Sequence, residues 1–130
     1  MTCTRINKAL SDAFTAHSHW CRTGKSLASS KALMTAITGK DQRKIVPLEE
    51  QIEALLCRMA SRELILADCI RMEHGAGWQS VARRRSPRTR NFLWLESTTY
   101  QKANLLGLTT RHYLAYLARA RNEILGGLTQ

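Results

Sequence analysis

Residues 103–121 read ANLLGLTTRHYLAYLARAR, and this stretch predicts two helices joined by a tight turn. Gly107 suits the turn because glycine tolerates a positive φ, and Ala103 is small enough for the second helix to pack across the first. Thr109 is expected to cap the second helix, since its side-chain oxygen can accept a hydrogen bond from a free backbone N–H and stabilise the helix by about 1 kcal/mol. The pattern is typical of a helix-turn-helix, with an ordinary helical hairpin as the alternative.

The second predicted helix carries an apolar stripe whose members are spaced by four, three and four residues. They are Tyr113, Leu117, Ala120 and Ile124. This spacing places all four side chains on one face of a helix, and we expect that face to lie in the core. Gly126 and Gly127 follow the stripe and are expected to end the helix.

Composition and patterning predict an all-α fold, specifically a helical bundle. The chain has 130 residues, enough for one domain with a modest core, and it contains only two prolines. Few of its runs alternate apolar and polar residues as a strand would. No apolar run approaches the roughly 18 residues that cross a bilayer, and the N-terminus lacks a signal-peptide core. We therefore expect a cytoplasmic protein with no membrane partner.

Residues 1–44 predict a basic helical appendage and linker. The first 47 residues carry eight Lys or Arg against two acidic residues. A helix is expected from about Thr4 to Trp20, followed by a linker of small residues at 24–30 and a short helix through residues 33–37. A basic tail with one loosely docked helix is the alternative.

Residues 45–130 are expected to form a helical scaffold, an arginine-rich arm at 83–90 and the helix-turn-helix at 97–126. The scaffold begins at Pro47, a favourable first-turn residue, and glutamates follow where the helix dipole favours negative charge. Its apolar residues predict one long helix or two broken helices ending at Gly75-Ala76-Gly77. This apolar stripe is expected to be core, and a second face could support self-association.

The arm contains five arginines in eight positions, namely Arg83, Arg84, Arg85, Arg88 and Arg90. Glu96 is the only acidic residue near them in the sequence, so we expect the arm to be solvated or to bind a polyanion. Arginine also fits a narrow DNA minor groove. A solvated loop that serves only solubility is the alternative. Trp78 and Trp94 are expected to be hydrophobic anchors at the two ends of the arm, not base-stacking platforms.

From Ala103 onward the chain resembles the last helix-turn-helix of sigma factors and the carboxyl end of the small phage antitermination Q proteins. The residues in register are Ala103, Leu105, Leu106, Gly107, Thr109, Leu117 and the tail Arg119-Ala120-Arg121. The resemblance implies a phage-type transcription antiterminator in a bacterial host cell. Such a protein binds promoter-proximal double-stranded DNA, loads onto bacterial RNA polymerase and modifies it to read through terminators. The resemblance implies no catalysis, and we expect no cofactor.

Two alternatives stay open at this point. A conventional helix-turn-helix repressor or activator would bind DNA without travelling with the polymerase. A small nuclease would need clustered carboxylates to hold a metal ion. The acidic residues of the middle segment, Asp68 among them, follow a helix-surface pattern instead.

In a DNA-bound helix-turn-helix the start of the second helix faces the bases. The DNA-binding residues predicted in this motif are Lys102, Thr109, Thr110, Arg111, His112, Ala115 and Arg119, in addition to the five arginines of the arm. Arg111 is the strongest candidate for a bidentate contact to guanine, and Lys102 for a contact to phosphate. Leu114 and Ala115 are apolar where sigma-like readers usually carry polar side chains. This face could therefore contact thymine methyl groups or dock on a protein.

The cysteines of the chain are Cys3, Cys21, Cys57 and Cys69. Their spacings fit neither a CxxC metal motif nor a compact disulfide framework, so reduced thiols are expected. His17 and Cys21 lie one helical turn apart and could present two zinc ligands on one face. Cys3 and His112 could complete such a site only through an unproved tertiary approach. We therefore expect no metal site, with solvated histidines and a buried cysteine in this segment.

Overall fold

The computed structural model describes residues 2–25, 30–38, 47–85 and 92–129. These residues form seven α-helices and one 3₁₀ turn, and none of them forms a β-strand, which confirms the expected all-α class. The helices are α1 (Thr2–Thr23), α2 (Ser30–Thr38), α3 (Leu48–Arg62), α4 (Leu64–His74), α5 (Trp78–Arg85), α6 (Thr99–Leu105) and α7 (Thr110–Thr129). The 3₁₀ turn, Trp94–Glu96, precedes α6. A helix able to span a bilayer is absent from the described part of the chain.

The core is one continuous cluster of apolar side chains to which every helix contributes. Helix α1 does not form a separate basic appendage, because it packs against α2 and α3 and buries Leu10 and Phe14 in this cluster. Lys8 and Asp12 are exposed on the opposite face of this helix. Apolar burial therefore decides the position of α1, since charges on a solvated face do not oppose packing of the other face.

The middle segment forms two helices, one of the two forms expected from its sequence. Helix α3 begins directly after Pro47. The helical conformation is interrupted at Glu63, which has an extended backbone with φ −142° and ψ 90°. Helix α4 ends at Gly75 in the left-handed conformation, with φ 74°, as predicted. Most of the large apolar residues of both helices, including Ile52 and Ile70, are buried, so this segment is the scaffold, although Leu64 at the start of α4 is 42% exposed.

Local signals set the join between α6 and α7. Thr98 and Gln101 form a capping box that begins α6. Gly107 adopts φ 73°, and the Thr109 Oγ1 accepts a hydrogen bond from the backbone N–H of His112 at 3.1 Å. These observations confirm the turn glycine and the cap. Both helices pack on α4, so α4, α6 and α7 form a three-helix unit.

The apolar stripe predicted on α7 is confirmed, because all four of its side chains are buried. The predicted end of this helix is wrong, since α7 continues through Gly126 and Gly127 to Thr129. A Cβ added at Gly127 would lie 2.5 Å from the Cδ2 of Leu55 on α3. This glycine therefore allows a close approach of α7 to α3 and does not terminate the helix.

Candidate nucleic-acid interface

Helix α7 is held by its inner face and presents its outer face to solvent. Tyr113 is fully buried, and its hydroxyl donates a hydrogen bond to the Glu73 Oε1 on α4 at 2.9 Å. Burial and the negative charge of Glu73 raise the pKa of the Tyr113 phenol, so this hydroxyl stays protonated as a donor. The start of α7 thus has a fixed orientation relative to the scaffold.

The outer face of the first turns carries the residues predicted to read bases. Thr109, Arg111, His112 and Ala115 are exposed and Thr110 is half-buried. Leu114 is 51% exposed and adds an apolar side chain to this surface. The structure therefore brings these residues together on one accessible surface, which we call the α7 outer face.

Two sources of positive potential meet on the α7 outer face. The first is the Arg111 guanidinium, which forms no ion pair with an acidic side chain in the described ranges. The second is the N-terminal end of a 20-residue helix, where free backbone N–H groups favour an anion. This surface can accept a phosphate or another polyanionic group.

Lys102 lies on α6 and contacts an aromatic ring. Its Nζ lies 5.1 Å from the centroid of the Trp94 ring, a cation–π distance. The Trp94 indole N–H donates to the carbonyl oxygen of Met72 at the end of α4. The Lys102 side chain is half-buried, so its ammonium is positioned by the ring instead of extending freely into solvent.

Arg119 has a different environment from Arg111, although both belong to α7. Its guanidinium pairs with Glu63 at the corner between α3 and α4, and the neighbouring Arg62 pairs with Glu123. Eight helical positions separate Arg119 from Arg111, a rise of about 12 Å along the axis. Arg119 thus lies farther along α7, at the corner between α3 and α4, and its side chain is 51% exposed.

The arginine-rich arm begins inside α5, and two of its arginines have a buried acidic partner. Asp68 is 1% exposed and accepts hydrogen bonds from Arg84 at 2.8 and 3.0 Å and from Arg85 at 2.8 Å. The interpretation that no nearby acid could neutralise the arm is therefore wrong for Arg84 and Arg85. The hydrogen bond to Asp68 raises the pKa of Arg84. Arg83 is exposed without an ion pair in the described ranges.

Arg88 and Arg90, the other two arginines of the arm, lie outside the described residues. The tryptophans at its ends are half-buried against the core, which confirms them as hydrophobic anchors. Trp78 packs against Phe92 with ring centroids 5.8 Å apart, and Trp94 packs on Gly75. The described residues on both sides of the arm are thus anchored to the scaffold.

A second polar cluster lies between α1 and α3, and we call it the α1–α3 cluster. His17 is fully buried, and its Nε2 lies 3.0 Å from the Glu53 Oε1 and 3.5 Å from the Cys21 Sγ. Arg71 donates to both oxygens of Glu53, at 3.0 and 2.6 Å, and the Cys57 Sγ donates to the Oε2 at 3.3 Å. The hydrogen bonds from His17 and Arg71 hold the pKa of the Glu53 carboxyl well below its usual range.

The expected environments of the two α1 residues are reversed in the structure, because His17 is buried and Cys21 is exposed. Cys57 is also an exposed free thiol, and Cys69 is a buried one. Sequence reasoning missed Glu53 as a partner of His17. Glu53 and Cys57 repeat the four-residue spacing of His17 and Cys21, which was the available signal. The approach of the two pairs depends on packing of α1 on α3.

Comparisons with protein-family models, with curated proteins and with solved structures return no match for this chain.

Proposed function

We propose that this chain is a DNA-binding regulator of transcription and that α6, the turn at Gly107 and α7 form its helix-turn-helix. The α7 outer face carries this proposal. It combines an unpaired Arg111 in the described structure with a capped helix N-terminus. Its opposite side is buried and held by Tyr113. A recognition helix needs such a division between a fixed inner face and an accessible outer face.

In this proposal each residue of the α7 outer face has a defined role. Arg111 donates two hydrogen bonds to the O6 and N7 of a guanine, the commonest specific contact in the major groove. Ala115 and Leu114 contact thymine methyl groups, while Thr109 and Thr110 bind a phosphate or a base edge. His112 and Arg119 lie near the DNA backbone.

The remaining predicted residues supply phosphate contacts. Lys102 is held on α6 by the Trp94 ring, and Arg83 is exposed at the end of α5. Arg84 and Arg85 hold α5 on α4 through Asp68 and thereby position Arg83, and Arg88 and Arg90 follow in the sequence as further basic side chains. A net charge of +10 attracts the protein to DNA from a distance.

The specific form that we propose is phage-type antitermination in the cytoplasm of a bacterial host. The resemblance of residues 103–121 to antitermination Q proteins supports it. The protein would bind promoter-proximal DNA and modify RNA polymerase to read through terminators. We assign no catalytic role. Asp68, which the nuclease alternative would need as a metal ligand, accepts hydrogen bonds from Arg84 and Arg85.

In vitro transcription tests this proposal directly. The template carries the promoter adjacent to the gene followed by a strong terminator, and wild type is compared with Arg111→Ala and Arg58→Ala. Arg58 is an exposed arginine on α3, so it provides the same change of charge away from the α7 outer face. We expect wild type and Arg58→Ala to increase readthrough and Arg111→Ala to lose this effect.

Two other results would change the conclusion. Altered initiation with unchanged readthrough would identify a conventional repressor or activator. Equal losses of readthrough in Arg111→Ala and Arg58→Ala, with equal weakening of DNA binding, would contradict base recognition by α7. They would indicate nonspecific electrostatic attraction to DNA. Titration of labelled DNA over a range of salt separates these cases. Loss of one phosphate contact lowers the salt slope by about one, whereas loss of a base contact weakens only the cognate site.

A further inference from the structure

We propose that the α1–α3 cluster is a zinc site in which His17, Cys21 and Glu53 are ligands and Cys57 supplies the fourth. This inference is independent of the proposed function, because the cluster does not include the α7 outer face or the arginine-rich arm. The described structure brings one ligand atom each from His17, Cys21 and Glu53 within 4.8 Å of one another.

Helical spacing places the four ligands in two pairs. His17 and Cys21 lie one turn apart on α1, and Glu53 and Cys57 lie one turn apart on α3. Residues at positions i and i+4 share a helix face, so each pair points toward the junction of the two packed helices. Two such pairs, one on each of the packed helices, provide four ligands, none of which comes from a loop.

The distances in the cluster are close to those of a tetrahedral zinc site. Zinc bonds of 2.0 to 2.3 Å at the tetrahedral angle separate neighbouring ligand atoms by about 3.3 to 3.8 Å. The His17 Nε2 lies 3.5 Å from the Cys21 Sγ and 3.0 Å from the Glu53 Oε1. Small side-chain shifts would therefore admit the ion between them.

Cys57 completes the set from the solvent side. Its Sγ lies 3.3 Å from the Glu53 Oε2, and in the proposed site it leaves that oxygen to bind the ion. Cys21 and Cys57 are both exposed, so a metal ion can reach the cluster from solution without opening the core. The imidazole of His17 forms the buried end of the site.

The charges of the cluster balance when zinc is bound. Two thiolates and the Glu53 carboxylate carry three negative charges, which the zinc ion and the Arg71 guanidinium neutralise. Arg71 is 17% exposed and orients Glu53 through two hydrogen bonds, the role of an outer-shell partner. On binding, both thiols release their protons to solvent, and His17 binds the metal through the Nε2 lone pair with its ring proton on the Nδ1.

Cobalt titration of the reduced full-length protein tests the site. Tetrahedral cobalt bound by thiolate gives intense visible bands and ultraviolet charge-transfer absorption, and zinc displaces it. We expect wild type to bind one equivalent and Cys21→Ser to bind at least about tenfold more weakly, since even outer-shell changes have effects of this size. Cys21 is exposed, so this variant leaves the core unaltered.

Cys69→Ala is the matched control, because Cys69 is a thiol on α4 with no part in the cluster. It should bind cobalt as wild type does. Cys57→Ser should weaken binding and reduce the charge-transfer intensity by about half, since one of two thiolates is lost. Absence of tetrahedral cobalt bands in wild type, or binding by Cys21→Ser as tight as that of wild type, would overturn the zinc site. An unchanged spectrum in Cys57→Ser would overturn the four-ligand assignment.

Discussion

Gly75 and the indole ring of Trp94 are in direct contact, so that a Cβ added at Gly75 would lie 2.8 Å from the ring atoms Cη2 and Cζ2. The same glycine ends α4 with φ 74°, a conformation that side chains rarely adopt. One residue therefore satisfies two requirements, the reversal of the chain after α4 and the seating of Trp94 on the core.

Gly75→Ala should lower the free energy of unfolding by more than Gly107→Ala does. Gly107 has φ 73° with no atom near its Cβ position, so its substitution measures backbone strain alone, about 1 to 2 kcal/mol. Gly75→Ala adds a clash with a rigid ring, a further 1 to 3 kcal/mol or so. Urea unfolding of the two variants measures the difference. Equal losses of stability would show that Trp94 moves aside without cost.

Gly127→Ala should be less stable than Gly126→Ala, although both glycines are inside α7. Alanine at position 126 meets no neighbour and should stabilise the helix by roughly 0.5 to 1 kcal/mol. Alanine at position 127 collides with Leu55, which offsets that gain. Thermal denaturation of the two variants compares them. Adding Leu55→Ala to each should remove most of the difference, and a difference that persists would locate the effect elsewhere.

Asp68→Asn should destabilise the protein by about 1 to 3 kcal/mol, because the amide cannot accept all three hydrogen bonds that the carboxylate receives from Arg84 and Arg85. The two arginines are partly exposed, so water can solvate them in the variant and limit the loss. Glu96→Gln, at an exposed acidic residue, is the control and should be neutral. Chemical unfolding checks both. A neutral result for Asp68→Asn would show that the network contributes little to stability.

Stability should fall as the pH drops from about 6.5 toward 4, in part because of His74. Burial and the nearby charge of Arg121 lower the pKa of His74 to about 4, and its ring stacks on Phe14 with centroids 4.6 Å apart. In the unfolded chain His74 takes up a proton near pH 6.5, whereas in the folded chain it does so only near pH 4. Acid therefore favours unfolding. The free energy of unfolding that depends on a neutral His74 is lost progressively over this range, and the total loss is at most about 3 kcal/mol.

His74→Gln isolates this contribution from that of the carboxyl groups, which also titrate in acid. The stability difference between wild type and His74→Gln should be greatest at neutral pH and should shrink as the pH falls to 4. Urea unfolding at several pH values provides the measurement. A difference that stays constant with pH would mean that His74 titrates alike in the folded and unfolded states.

Sequence patterns predicted the elements whose signals are local. The glycine at position 107, the cap at Thr109 and the apolar stripe of α7 depend on neighbours within a few residues, and all three are confirmed. The role of Gly127 could not be predicted, because it depends on Leu55, which is distant in the sequence. A glycine near a helix end has the same local signature whether it terminates the helix or admits a neighbouring side chain.

The candidate sites show the same limit. The exposed positions at the start of α7 follow from its periodicity, since the residues between the members of the stripe must face outward. The partners of Arg84 and His17 could not be predicted from the sequence. Asp68 reaches Arg84 only after α4 packs on α5, and Glu53 reaches His17 only after α3 packs on α1. Ion pairs between helices depend on the packing geometry, which charge counts along the chain do not contain.

The hydrogen bond between Tyr113 and Glu73 has a consequence for any partner of α7. Rotation of the helix about its axis would remove the fully buried phenol from its acceptor and leave its hydroxyl without a partner. The helix therefore meets its partner as a preorganised surface and loses little conformational entropy on association. Adjustment of shape on binding must come from the partner, which for a DNA duplex means local bending or a change of groove width.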